Sequence, residues 1–116
     1  MAEKVVLVAF NGEPMCFVHV LLNALDMDAR GFDVKVVIEG SATVTANALN
    51  EPGAQFGQFY QQVKDKGLID CVCRACANKM GALEGIEAQG LPLCGEMVGH
   101  PSLARYIEAG YQVVTF

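Results

Sequence analysis

Short apolar runs and amphipathic stretches take turns along the chain. Lys4 to Phe10, KVVLVAF, is β-branched and apolar without clean alternation, as expected of a strand buried on both faces of a parallel sheet. Asn11-Gly12 ends it, Pro14 suits a first helical turn, and Val18, Leu21, Leu22, Leu25 and Ala29 recur at helical spacing until Gly31 closes the segment. Asp33 to Glu39 reads as a second strand, and the helix before it is long enough for a right-handed crossover, so the first two strands are expected to be parallel. Gly40 to Pro52 is a long small and polar connection with a short helix expected around Val44 to Leu49. Ala54 to Lys66 is the next helix, with Phe56, Phe59, Tyr60 and Val63 as its packed face.

Leu68 to Val72 reads as a third strand, Ala75 to Leu83 as a short helix, and Leu91 to Met97 as a Gly- and Pro-interrupted fourth strand. Pro101 to Ala109 predicts a last helix and Tyr111 to Phe116 a closing strand. Strand and helix alternate throughout, the signature of a three-layer α/β domain. In such open parallel sheets reactive groups gather beyond the carboxyl ends of the strands. That edge is expected to carry Asn11 to Cys16, Glu39 to Thr43, Cys73 to Cys76 and His100.

A length of 116 residues accommodates one domain, taken as residues 1–116, with one modest core. A hydrophobic share of 53% against 18% charged residues leaves more apolar surface than a small core needs, so a homo-oligomer is expected. The net charge of -5 and eight scattered Lys and Arg argue against nucleic-acid binding. No apolar run approaches the ~20 residues of a membrane span, and the start leads into a strand, so a cytoplasmic location is expected.

Three of the five cysteines crowd into Cys71-Val72-Cys73-Arg74-Ala75-Cys76, unlike the spread pattern of a secreted disulfide scaffold. Cys73 falls where strand three hands over to a helix. Unpaired N–H groups, the positive end of the helix dipole, Arg74 and Lys79 are expected to lower its pKa and leave an ionised, reachable sulfur. Cys76, one helical turn deeper, is within disulfide reach of Cys73. Cys71 lies two positions before Cys73 in the strand and should share its face.

The strand-three ending Asp70-Cys71-Val72-Cys73, the following Arg74 to Gly81, and the terminal run Pro101 to Phe116 resemble the DsrE/DsrF-like family over nearly the whole chain. The shared marks are a cysteine after strand three, a glycine eight residues later, and a closing helix and strand ending in Thr-Phe. The resemblance implies a five-stranded parallel sheet of order 4-3-2-1-5 between helix layers, in trimers or hexamers. It also implies a persulfide-carrying thiol at Cys73, hence a candidate sulfurtransferase or sulfur-relay subunit with sulfur-donor and sulfur-acceptor protein partners and no cofactor. Cys73 and Cys76 are the candidate catalytic residues, Cys76 as a resolving thiol.

Cys71 and Cys76 depart from the family's single-cysteine pattern, since thiols beside a persulfide tend to resolve it into a disulfide and release sulfide. A rival reading is a zinc or iron–sulfur protein, with the three cysteines of CxCxxC and Cys94, Cys16, His19 or His100 as a fourth ligand. Another is a non-catalytic oligomeric interaction subunit. Cys71 and Cys94 read first as small buried hydrophobes, and Cys16 as a plain helix residue ~10 Å, two strand spacings, from Cys73. His100 reads first as the start of the last helix or an interface residue, and only second as a catalytic base. Glu39 faces either the cleft or a subunit interface. Asn11-Gly12-Glu13 lacks the glycines and lysine of a phosphate loop.

Overall fold

The structure is a computed structural model that describes residues 2–116. Strand β1 (Lys4–Ala9) leads through helix α1 (Pro14–Ala29) into β2 (Asp33–Ile38). Helices α2 (Ala42–Asn50) and α3 (Gly57–Asp65) precede β3 (Ile69–Cys73), and α4 (Arg74–Lys79) and α5 (Leu83–Ala88) precede β4 (Leu93–Cys94). The chain closes with α6 (Leu103–Glu108) and β5 (Gln112–Thr115). The five strands form one parallel sheet of order β4-β3-β2-β1-β5, as the resemblance implies, with helices on both sides.

The two faces of the sheet are unequally covered. Val5, Leu7 and Ala9 of β1 and Val34, Val36 and Ile38 of β2 join Phe17, Val20, Leu21 and Ala24 of α1 and Tyr60 and Val63 of α3 in the larger core. Fully burying a side chain such as Phe17 contributes about 2 to 3 kcal/mol, so α1 is held by packing more than by helix propensity. The opposite face is a smaller core of Val6, Val8, Val37, Cys71, Cys94 and Tyr106, roofed by α6. A register shift between Val36 and Val37 opposite β3 marks a bulge. It lets Asp70 and Cys71 both reach the hydroxyl of Tyr106.

Four expectations need correction. The packed face of α1 is centred on Phe17, Leu21 and Ala24, while Leu22 and Ala29 are exposed, because the helix is rotated to set Phe17 against Tyr60. Helix α2 is longer at both ends than the short helix expected around Val44 to Leu49. The helix expected over Ala75 to Leu83 ends as α4 at Lys79, ahead of Gly81 with its positive φ of 75°, and an unexpected helix, α5, follows from Leu83 to Ala88. The fourth strand shrinks to Leu93 and Cys94.

Candidate functional site

The carboxyl ends of β2 and β3 are neighbours, and the turn leaving each strand is held tightly. After Glu39 the chain turns at Gly40 with φ 53°, where a side chain would lie 2.7 Å from the Phe10 carbonyl oxygen. Cys73 ends β3 and also caps α4: its sulfur accepts the Cys76 N–H at 3.3 Å. Beyond β4, Met97 and His100 bond to each other's backbone at 2.8 and 2.9 Å around Val98 and Gly99. Both central residues have positive φ, 50° and 91°, the requirement of a type I′ turn. Valine is a poor occupant of that region, and the strain costs on the order of 1 to 3 kcal/mol.

The turn is docked onto the start of α4. The Gly99 carbonyl accepts the Ala75 N–H at 2.8 Å and faces the Cys73 thiol at 3.7 Å. A side chain at Gly99 would lie 3.0 Å from the Ala75 Cβ, so glycine permits the approach. Glu96 holds the segment from the outside, accepting from Ser102 N–H at 2.9 Å, Gly95 N–H at 3.2 Å and Arg105 Nε at 3.1 Å. These bonds hold its carboxyl down to about 2, the Ser102 N–H foremost.

His100 Nδ1 then lies 3.2 Å from the Cys73 sulfur and 3.7 Å from the Cys76 sulfur. With a Glu39 oxygen, these donor atoms all fall within 4.8 Å of one another. Cys73 is fully buried, while Glu39, Cys76 and His100 are partly exposed, so its surroundings are polar although it does not itself meet solvent. The expected reachable thiolate is therefore corrected. Burial pushes the Cys73 thiol up to about 12, and the hydrogen-bonded Cys76 side chain and, less, the Glu39 carboxylate add to the rise. The Cys76 N–H opposes this without overcoming it, and Arg74 and Lys79, expected to help, are exposed. Burial also raises Glu39, with His100 opposing.

Cys71 and Cys94 are both buried, as expected, but are joined by a disulfide between β3 and β4. That removes Cys71 from the CxCxxC thiols and leaves Cys16, Cys73 and Cys76 free. Cys16 is part-buried on α1, His19 is exposed, and neither joins the cluster. In the Asn11-Gly12-Glu13 loop, Glu13 occupies the start of α1 by accepting the Met15 and Cys16 N–H groups. A surface cleft running along Leu49 to Gln61 is lined by no thiol or imidazole.

Glu39 is the site member that periodicity could not choose, since cleft and interface were equally open to it. The usable signal was topological: with β2 beside β3, the residue just after β2 sits near Cys73. His100, read first as the start of a helix, proved to be the imidazole of the site, because the turn folds it back over α4.

The sheet order and the two thiols at its carboxyl edge define a small parallel α/β protein with a strand-end cysteine site. The chain belongs to the DsrE/DsrF-like family, whose profile matches residues 4–116. An uncharacterised protein of Methanocaldococcus jannaschii is 32% identical over 96 residues, covering 83% of this chain and 76% of its own. An uncharacterised protein of Archaeoglobus fulgidus is 41% identical over 44 residues, 38% of this chain and 72% of that one. A solved structure, a conserved protein of unknown function from Bacteroides thetaiotaomicron, superposes with a TM-score of 0.75 at 14% identity, over 98% of this chain and 95% of that chain. At that identity the likeness speaks for the fold.

Proposed function

We propose that the chain is a sulfur-carrying thiol protein in which Cys73 receives the terminal sulfur of a donor persulfide. The observation that carries the reading is the 3.2 Å approach of His100 Nδ1 to the Cys73 sulfur. A buried thiol that resists ionisation needs a base at hand, and a neutral imidazole nitrogen at this distance serves as one. As the Cys73 sulfur attacks the terminal sulfur of R–S–SH, its proton passes to His100. The donor's S–S bond breaks, and the leaving R–S⁻ takes that proton to become R–SH. Cys73 is left as Cys73–S–SH, and no net oxidation occurs.

The sulfur reaches Cys73 along the partly exposed side formed by Cys76 and His100. An acceptor thiol on a partner protein takes the terminal sulfur by the same exchange. Where no acceptor arrives, Cys76 attacks the inner sulfur, forming a Cys73–Cys76 disulfide and releasing sulfide. The protein acts in this reading as a homo-oligomer with donor and acceptor partners.

Incubation of the metal-free protein, with its free thiols reduced, with a sulfane-sulfur donor tests this directly. Peptide mass spectrometry is expected to find one added sulfur atom on Cys73, more persistent in Cys76→Ser and slower to form in His100→Ala. Sulfur added equally to Cys16, or uptake undiminished in Cys73→Ser, overturns the assignment.

A further inference from the structure

The four side chains at the carboxyl edge carry more chemistry than a sulfur carrier uses. A persulfide thiol requires a base and at most a resolving thiol; a carboxylate beside it contributes nothing to the exchange. Yet Glu39 is turned to the sulfurs, and among the described residues it forms no ion pair with a lysine or arginine. Each donor is also fixed by a different piece of backbone. Glu39 follows β2, Cys73 ends β3, Cys76 stands in the first turn of α4, and His100 closes the clamped turn.

Their spacing is that of a coordination shell. In a tetrahedral zinc site, bonds of about 2.3 Å to sulfur and about 2.0 to 2.2 Å to nitrogen and oxygen put neighbouring donors roughly 3.3 to 3.8 Å apart. The two sulfur–imidazole separations are 3.2 and 3.7 Å, and the whole set spans no more than 4.8 Å. Small rotations of partly exposed side chains close the remainder.

We propose that Glu39, Cys73, Cys76 and His100 form a four-coordinate site for zinc or a divalent cation of the same borderline-soft class. Two sulfurs and an imidazole select against calcium and magnesium, which take oxygen. An iron–sulfur cluster held by four thiolates is excluded by the donor set, because the Cys71–Cys94 disulfide leaves only Cys73 and Cys76 at this place. On binding, the two thiols surrender their protons to solvent and form two metal–sulfur bonds, while Glu39 and His100 Nδ1 donate lone pairs; no electrons are transferred. The site differs from any set built on CxCxxC alone, since the Glu39 carboxylate, just after β2, replaces Cys71. It stands independently of the sulfur-carrying reading, but both use the Cys73 sulfur, so cation and sulfur exclude each other there.

Titration of metal-free protein, its free thiols reduced, with cobalt(II) and then zinc tests the proposal without any sulfur donor. The expected result is saturation at one equivalent, with a near-ultraviolet thiolate-to-cobalt charge-transfer band and the intense visible bands of tetrahedral cobalt, all abolished by zinc. Cys73→Ser and Cys76→Ser each lose or shift the charge-transfer band. Glu39→Ala and His100→Ala each weaken binding by at least about ten-fold, and Cys16→Ser leaves it unchanged. Circular dichroism identifies any variant that fails to fold, and the partly exposed Glu39 provides a substitution outside the core. No charge-transfer band in the wild type overturns the site, as does undiminished affinity in both Glu39→Ala and His100→Ala. Protein that loads sulfur but shows no cobalt band sinks the metal site alone. Protein that gives the band but takes no sulfur supports the metal site and sinks only the sulfur-carrying reading.

Discussion

Cys73 shows how one residue can meet two opposing demands. As the cap of α4 it accepts an N–H bond, which favours a thiolate, yet its burial and the neighbouring Cys76 and Glu39 favour the neutral thiol and prevail. An ordinary thiol alkylates with a midpoint near its free pKa of ~8.5. For Cys73 the iodoacetamide rate is expected to stay low at neutral pH and climb towards about 12. Glu39→Gln removes one negative neighbour and moves that midpoint down, but only in part, because burial is the larger cause. Rates measured across pH on Cys16→Ser, with peptide mapping to separate Cys73 from Cys76, check this. A wild-type midpoint at or below that of an ordinary thiol refutes it.

At the scale of elements, the site depends on a short segment with little regular structure of its own. From Cys94 to Ser102 the chain is fixed by the Cys71–Cys94 disulfide at one end, by the Glu96 carboxylate in the middle, and by the Gly99 carbonyl on α4. The folded-state pKa of Glu96 is depressed from 4.5 to about 2, so its bonds favour the folded state above pH 4.5. That contribution fades as pH falls from 4.5 towards 2. Denaturant titrations through this range are expected to show a shallower loss of stability in Glu96→Gln than in the wild type; coincident pH slopes refute the role. This segment also marks where the sequence ceases to be legible. KVVLVAF and the α1 pattern name their own elements because many residues repeat one period. A two-residue β4 has no period to read, and Ala75 to Leu83 looks like one helix because only the backbone at Gly81 ends α4 before α5 begins at Leu83. The candidate thiols were legible from their place after a strand. Glu39 and His100 were legible as residues of the same edge but not as neighbours of the Cys73 sulfur, and the disulfide was not legible at all, because each contact depends on which strand or turn lies beside which.

For the whole molecule the open question is what lies against the sheet edges. Among the described residues no helix is long and apolar enough to cross a membrane, and Phe10, Met15, Met97, Val98 and Ile107 leave apolar surface exposed. The edge strand β5 is the place where the chain does least to prevent association. Its residues Gln112 to Thr115 carry no charge and no proline, its burial pattern is largely open, and Val114 is 40% exposed. Edges that stay single are usually blunted by lysine, proline or a bulge. Two identical unblunted strands can pair antiparallel about a two-fold axis, which extends the sheet from one copy into the next and gives even-numbered assemblies. Sedimentation is therefore expected to find an even multiple of the 12.4 kDa chain, so that of the trimer and hexamer implied by the family resemblance only the hexamer is compatible. Val114→Lys puts a charge on the edge and should halve the assembly or reduce it to single chains. A wild-type trimer, or a single chain at high concentration, rules out pairing through β5.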